Sequence, residues 1–404
     1  MSGQPSTQAA GAPAERRAFT PFRLAGLPLR NRIIKSATYE GMTPAGRAGP
    51  ALVEHHAELA RGGVGLTTVA YAAVASAGRT FAEQLLMDED QVERLKPLTD
   101  AVHRHGGAAS LQLTHSGGFT KYRAPGDPPP AGPSRAFNAY GSLSGLPWIR
   151  AMSEADIAGV VTSFADAAGL AKRAGFDAVE LHLGHGYLLS QFLSPAINRR
   201  TDAWGGSLSN RLRLPVAVVR AVRERMGEGF PILCKINLSD GFPGGLGIAE
   251  AVGIARALAG EGVDALVLSA GFVSRSPFYL LRGGRPLREM IAAEPKWSQK
   301  AALGLFGPVV VRPWPFTELF LLDQARRVRE AVDIPLALLG GVSSRDNLAT
   351  AMREGFELVA VARALIANPT WVRDLEAGTL ERTRCNRCNV CIAEMDRGGV
   401  RCVL

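Results

Sequence analysis

Between residues 180 and 211 the chain crowds several reactive groups into one stretch. Glu180-Leu181-His182-Leu183-Gly184-His185-Gly186-Tyr187 runs into Phe192-Leu193-Ser194-Pro195, Asn198-Arg199-Arg200-Thr201-Asp202 and Trp204-Gly205-Gly206. A strand ending near His182 delivers two imidazoles and a phenol into a single loop. Donors spaced like His182 and His185 can share one carbonyl oxygen and stabilise the negative charge that develops on it. Tyr187, two residues on, is the candidate proton donor. The same spacing also suits a metal site or two separate structural histidines. Asn198, Arg199, Asp202, Gly205, Gly206, Asn210 and Arg211 are read as builders of the loop, through buried hydrogen bonds and tight turns.

Two further groups lie downstream. Leu339-Gly340-Gly341-Val342-Ser343-Ser344 precedes a helix, and Ala362-Arg363-Ala364-Leu365 follows a later strand. Glycines let backbone N–H groups approach a phosphate, a helix N-terminus favours its charge, and an arginine can clamp it. Near the end, Cys385, Cys388, Cys391 and Cys402 are separated by two, two and ten residues. Four thiolates so close together suit an Fe–S cluster or zinc, with a metal-free relic as the remaining reading. The fifth cysteine, Cys234, sits in an apolar strand and reads as inert packing.

These groups need a scaffold that brings them to one place. Short aliphatic or β-branched runs alternate with amphipathic stretches, the rhythm of parallel strands joined by crossover helices. Strands are predicted at Ile33–Ser36, Val64–Ala70, Ala108–Leu113, Ala178–His182, Ile232–Asn237, Ala265–Ser269, Leu336–Gly340 and Leu358–Val361. Helices are predicted at Pro50–Arg61, Asp90–His105, Ser153–Ala174, Ser209–Arg225, Ile248–Glu261, Phe316–Ala331 and Ser344–Glu354, with Ser153 and Asp156 forming a capping box. Eight such units imply an α/β fold, one closed (β/α)8 TIM barrel over residues 19–380 with loop insertions. Residues 1–18 read as a disordered leader and 381–404 as a Cys-rich C-terminal segment. Chemistry in such a barrel sits at the carboxyl ends of the strands. That rule adds Ser36, Ala37 and Thr38 after strand one, Gln112 on strand three and Lys235 on strand five to the pocket. Residues 117–150 and 272–315 break the rhythm and read as loops shaping a substrate pocket.

Composition narrows the class without naming it. In 404 residues, 47% are hydrophobic and 21% charged, an ordinary balance that can bury a large core. The net charge of +9 comes from scattered arginines without a basic stripe, which argues against a nucleic-acid partner. No apolar run is long enough to span a bilayer and no signal core precedes the barrel, so a cytoplasmic location is expected. A small-molecule substrate and a homo-oligomeric state are expected as well.

The order of residues from 180 to 211 resembles the Old Yellow Enzyme family of FMN-dependent ene-reductases, including the flavin domain of 2,4-dienoyl-CoA reductase and trimethylamine dehydrogenase; the likeness extends over about residues 19–402. The resemblance implies non-covalent FMN, with its phosphate held by Gly340, Gly341 and Arg363. Most relatives have Gly where Ala362 stands. It implies that Gln112 meets the pyrimidine edge and that Lys235 lies beside N1 and O2, stabilising the reduced anion. It implies reduction of an activated C=C bond, with hydride from flavin N5 and a proton from Tyr187 while His182 and His185 hold the carbonyl. Gly118 stands where many relatives carry Arg.

Gly244-Gly245-Leu246-Gly247 lacks the strand context of a dinucleotide fingerprint, so NAD(P)H and substrate are expected to take turns at one flavin face. The cysteine pattern resembles the cluster-binding segment of the same relatives, with a shorter final gap, and favours [4Fe–4S] over zinc; such a cluster would need an electron-transfer partner or be structural. Two rival readings stand beside this one. The first is a dehydrogenase oxidising an amine or desaturating a carbonyl compound. The second is a non-catalytic barrel that binds a phosphorylated ligand.

Overall fold

Eight parallel strands close on themselves in chain order: β1 (Ile33–Lys35), β2 (Leu66–Ala73), β3 (Ala108–Thr114), β4 (Ala178–Leu183), β5 (Ile232–Asn237), β6 (Ala265–Ser269), β7 (Leu336–Leu338) and β8 (Leu358–Val361). This is the (β/α)8 barrel expected from the sequence, seen in a computed structural model that describes residues 13–404. Every residue of these strands is buried, as parallel strands sandwiched between a filled interior and a helix ring require. That burial is why they appear in the sequence as continuous apolar runs.

The crossovers are α1 (Pro50–Arg61), α2 (Glu89–Arg104), α3 (Glu154–Arg173), α4 (Leu208–Met226), α5 (Ile248–Gly260), α6 (Leu322–Arg329) and α7 (Arg345–Arg353). Their starts follow local chemistry. Asp88, Ser153, Ser207 and Ser344 each accept the backbone N–H three residues on, and Ser153 with Asp156 completes the capping box. Register then sets the site: Gln112 on β3 pairs with Glu180 on β4, and Lys235 on β5 pairs with His182 on β4. Paired residues of parallel strands point the same way, so these groups converge within the barrel.

Three expectations are corrected. Residues 1–12 of the proposed leader lie outside the described residues, but Ala14–Arg17 forms a helical turn and Ala18 is fully buried, its carbonyl accepting from Arg32 N–H at 3.0 Å. The helix expected at Phe316–Ala331 is shortened to Leu322–Arg329, because residues 316–321 run in irregular backbone, with Leu319 at φ +52°, against the turn after β7. The interval 272–315 is not merely loop: it holds two helices, Leu287–Ala293 and Trp297–Val310. The Cys-rich segment is bound into the barrel mouth, with Thr383 N–H donating to Ser343 O and Val400 N–H to Glu40 O. Among the described residues no helix is long and apolar enough to cross a membrane.

Candidate active site

A cavity of about 330 Å³ opens at the carboxyl ends of the strands. Its wall contains Ser36, Ala37, Thr38, Gln112, His182, His185, Tyr187, Gly340, Gly341, Ala362 and Arg363, so eleven of the twelve residues expected at a flavin site come together. Cys385 joins them from the C-terminal segment, whereas Cys388, Cys391 and Cys402 stand back from this wall.

Lys235 is the exception. It lies behind Ser36, 1% exposed, with Nζ donating to Ser36 Oγ at 3.2 Å and to Glu180 Oε1 at 2.8 Å. The same carboxylate oxygen accepts from Gln112 Nε2 at 2.6 Å. A buried ammonium needs a counter-ion, and Glu180, quoted in the sequence motif without a role, supplies it. The other oxygen, Glu180 Oε2, is buried without a partner. An acceptor left in that state is costly unless a bound group brings its own donor.

Tyr187 is 6% exposed, and burial pushes its phenol up to about 12 against the opposing effect of the Tyr71 hydroxyl. It therefore keeps its proton through neutral pH. The two rings lie 5.1 Å apart in an aromatic cluster with Tyr39, Phe81 and Phe119. Phe119, stacked on Tyr140 at 4.5 Å, comes from the 117–150 insertion. Sequence reading missed Tyr39 and Tyr71. Their position just past or at the carboxyl end of β1 and β2 was the available signal.

His182 is held well below the ordinary imidazole range by burial first, then by His185 and Lys235. His185 is lowered to about 3 by burial and Lys235. Both rings are neutral, perpendicular, and 4.9 Å apart, and His182 is 4.7 Å from Tyr187. Gly184 N–H donates to His182 Nδ1 at 3.3 Å, which leaves the single ring proton on Nε2. The expectation that both imidazoles act alike is refined at His185, whose Nε2 pairs with Ser269 Oγ at 2.7 Å. A hydroxyl that donates there keeps the His185 proton on Nδ1. His185 itself is bent to φ +59°, and its N–H donates to Asn237 Oδ1 at 3.1 Å.

The loop builders do what their chemistry suggested. Asn198 Nδ2 donates to Phe192 O at 2.9 Å and Trp204 O at 2.7 Å, Arg200 pairs with Asp202, and Arg211 bonds Leu193 O and Glu250. An arginine in place of Gly118 would meet Ile149, 2.6 Å from a Cβ built there, so the insertion occupies that space. Glu40, His55 and His56 bring one ligand atom each within 4.8 Å of one another, the geometry of a small metal site. Lys35 already bonds the Glu40 carboxylate, so the chain supplies the cation itself.

A closed barrel whose strand ends gather Gly340, Gly341, Arg363, His182, His185 and Tyr187 around one cavity is the framework of a (β/α)8 enzyme. Residues 17–273 match the model of the NADH:flavin oxidoreductase / NADH oxidase family, and the chain belongs to that family. It is 41% identical over 396 residues to 4,4'-dithiodibutanoate disulfide reductase of Rhodococcus erythropolis, covering 96% of this chain and 94% of that protein. It is 30% identical over 377 residues to NADH oxidase of Thermoanaerobacter brockii, covering 92% of this chain and 52% of that protein, so it spans about half of that longer relative. Among solved structures, morphinone reductase in complex with tetrahydroNAD superposes with a TM-score of 0.70 at 24% identity, over 91% of this chain and 92% of that one, a likeness of fold. The protein is an FMN-dependent oxidoreductase that takes its electrons from NAD(P)H. The residues present fit the cofactor: the cavity is mostly apolar, as a flat ring system requires, the open turn at Gly340 and Gly341 borders it, and the Arg363 guanidinium stands in the wall.

Proposed function

We propose that the protein reduces the activated C=C bond of an α,β-unsaturated carbonyl compound. The observation that carries this reading is the convergence of two neutral imidazoles and one protonated phenol on a single wall. When bound, FMN supplies the hydride chemistry. His182 Nε2–H donates to the substrate carbonyl oxygen, and His185 adds a second donor when Ser269 keeps its proton on Nδ1. Neutral donors suit this role, because they stabilise the enolate oxygen without surrendering a proton to it. Tyr187 then protonates the α-carbon, and the surrounding aromatic cluster keeps bulk water from that step. In the same reading Gly340, Gly341 and Arg363 hold the FMN phosphate. Ser36, Ala37, Thr38, Gln112 and Ala362 border the rest of the cofactor, and Lys235 acts from behind Ser36.

The four cysteines are proposed to hold [4Fe–4S]. Burial pushes the Cys391 thiol up to about 11, and Cys385, Cys388 and Cys402 all lie within electrostatic range of it.

A second reading has its own support in the disulfide reductase named above: the substrate is a small organic disulfide. Purified protein, bleached anaerobically with NADPH and offered cyclohexenone-type enones, dienoyl thioesters, amines and 4,4'-dithiodibutanoate, separates these readings. Reoxidation with a saturated product from an enone is expected, together with iron and sulfide in the preparation. Turnover of the disulfide alone would replace the first reading by the second, and stoichiometric zinc would remove the cluster.

A further inference from the structure

Arg363 does not stand free at the end of β8. Its Nη1 donates to the Arg282 carbonyl at 2.8 Å and to Asn389 Oδ1 at 2.5 Å. Its Nε and Nη2 make no hydrogen bond among the described residues, and the side chain forms part of the cavity wall. One edge of the guanidinium is therefore committed to protein and the other remains available.

Asn389 is built for that hold. It lies between Cys388 and Cys391, 1% exposed and at φ +64°, a conformation that asparagine tolerates better than most side chains. Its Nδ2 spends its hydrogens on Leu281 O at 2.6 Å and Gly284 O at 2.9 Å, so the carbonyl end can face only Arg363. The loop it grips is docked from the other side, with Gly284 N–H donating to Arg387 O at 2.8 Å. Side chains at Gly283 and Gly284 would collide with the Arg387 and Cys388 backbone, so these glycines are what allow the contact.

We infer that Asn389 is the positioning residue of the flavin phosphate subsite: it orients Arg363 so that the free guanidinium edge meets the phosphate, and it ties FMN retention to the folded Cys-rich segment. This rests on the reading that Arg363 holds the phosphate. A bidentate clamp depends on orientation as much as on charge, and an unheld arginine loses on binding the rotamer freedom that a held one has already given up.

Riboflavin carries the same ring system without the phosphate, which makes it the control. Full-length protein stripped of flavin is titrated with FMN and with riboflavin. Asn389→Ala is expected to weaken FMN about tenfold while leaving riboflavin affinity unchanged. Asn389→Asp keeps the size but sets a carboxylate on the guanidinium in competition with the phosphate. It is expected to weaken FMN at least as much, with a loss that shrinks at high salt. Equal weakening of both flavins, or FMN affinity unchanged in both variants while Arg363→Ala lowers it, would overturn the inference. An Arg363→Ala protein that still prefers FMN would remove the phosphate assignment beneath it.

Discussion

Tyr187 shows how a single side chain divides the candidate reactions. Protonating carbon requires an acid that is still loaded at working pH; a phenol meets this at its ordinary pKa of about 10, and burial pushes Tyr187 further in the same direction, up to about 12. Tyr187→Phe is expected to slow reoxidation of the reduced enzyme by an enone by about 10²-fold or more, while reduction by NADPH is unchanged. Stopped-flow absorbance measures both half-reactions, and an unaffected enone step would assign the proton elsewhere. His182, His185 and Tyr187 were legible in the sequence because type and spacing survive without coordinates. Ser269 and Glu180 were not, since a serine and a glutamate on apolar strands acquire meaning only from His185 in the loop after β4 and Lys235 on β5.

At the scale of elements, the turn after β7 is where backbone shape governs the site. Gly340 and Gly341 adopt φ +104° and +80°, and a Cβ on Gly341 would stand 2.8 Å from Leu319 N and Thr317 O. The glycine pair was read from sequence as making room for a phosphate; it also makes room for residues 317–321, which cost the predicted sixth helix its first turns. Gly341→Ala is expected to cost about 1–3 kcal/mol, seen as a lower denaturant midpoint, because left-handed strain adds to a collision with backbone that cannot rotate away. An unchanged midpoint would mean that this segment yields freely. The other crossover helices were placed closely from sequence, since their caps and apolar faces are local. The two helices inside 272–315 were not recognised. Gly283, Gly284, Pro286, Pro308 and Pro313 punctuate that stretch, and the helix Trp297–Val310 leaves Trp297, Leu305, Phe306, Val309 and Val310 exposed instead of showing a buried stripe.

The molecule as a whole carries an acid-sensitive interior. Five of its seven histidines, His55, His56, His115, His182 and His185, are lowered in the fold, with burial the leading cause in each. The unfolded chain protonates them near 6.5, so between that pH and about 3 to 4 the unfolded state binds more protons and stability falls as pH falls. Glu40, held down to about 2 by Lys35 and His56 against the burial that would raise it, adds to the same trend at lower pH. The unfolding free energy is expected to fall from pH 7 to pH 5, by up to about 1.4 kcal/mol per pH unit for each such proton, seen as a lower urea midpoint. A midpoint constant over that interval would show that these imidazoles are not buried as neutral rings. The order of residues alone determined the eight-unit barrel, the mouth at which chemistry gathers and most of the cavity wall, because burial periodicity, turn residues and motif spacing act over short distances along the chain. Only the tertiary structure decided the pairings: Lys235 with Glu180 across 55 residues and with Ser36 across 199, His185 with Ser269 across 84, and Asn389 with Arg363. Such contacts follow from strand register, barrel closure and the docking of the C-terminal segment, none of which is local along the chain.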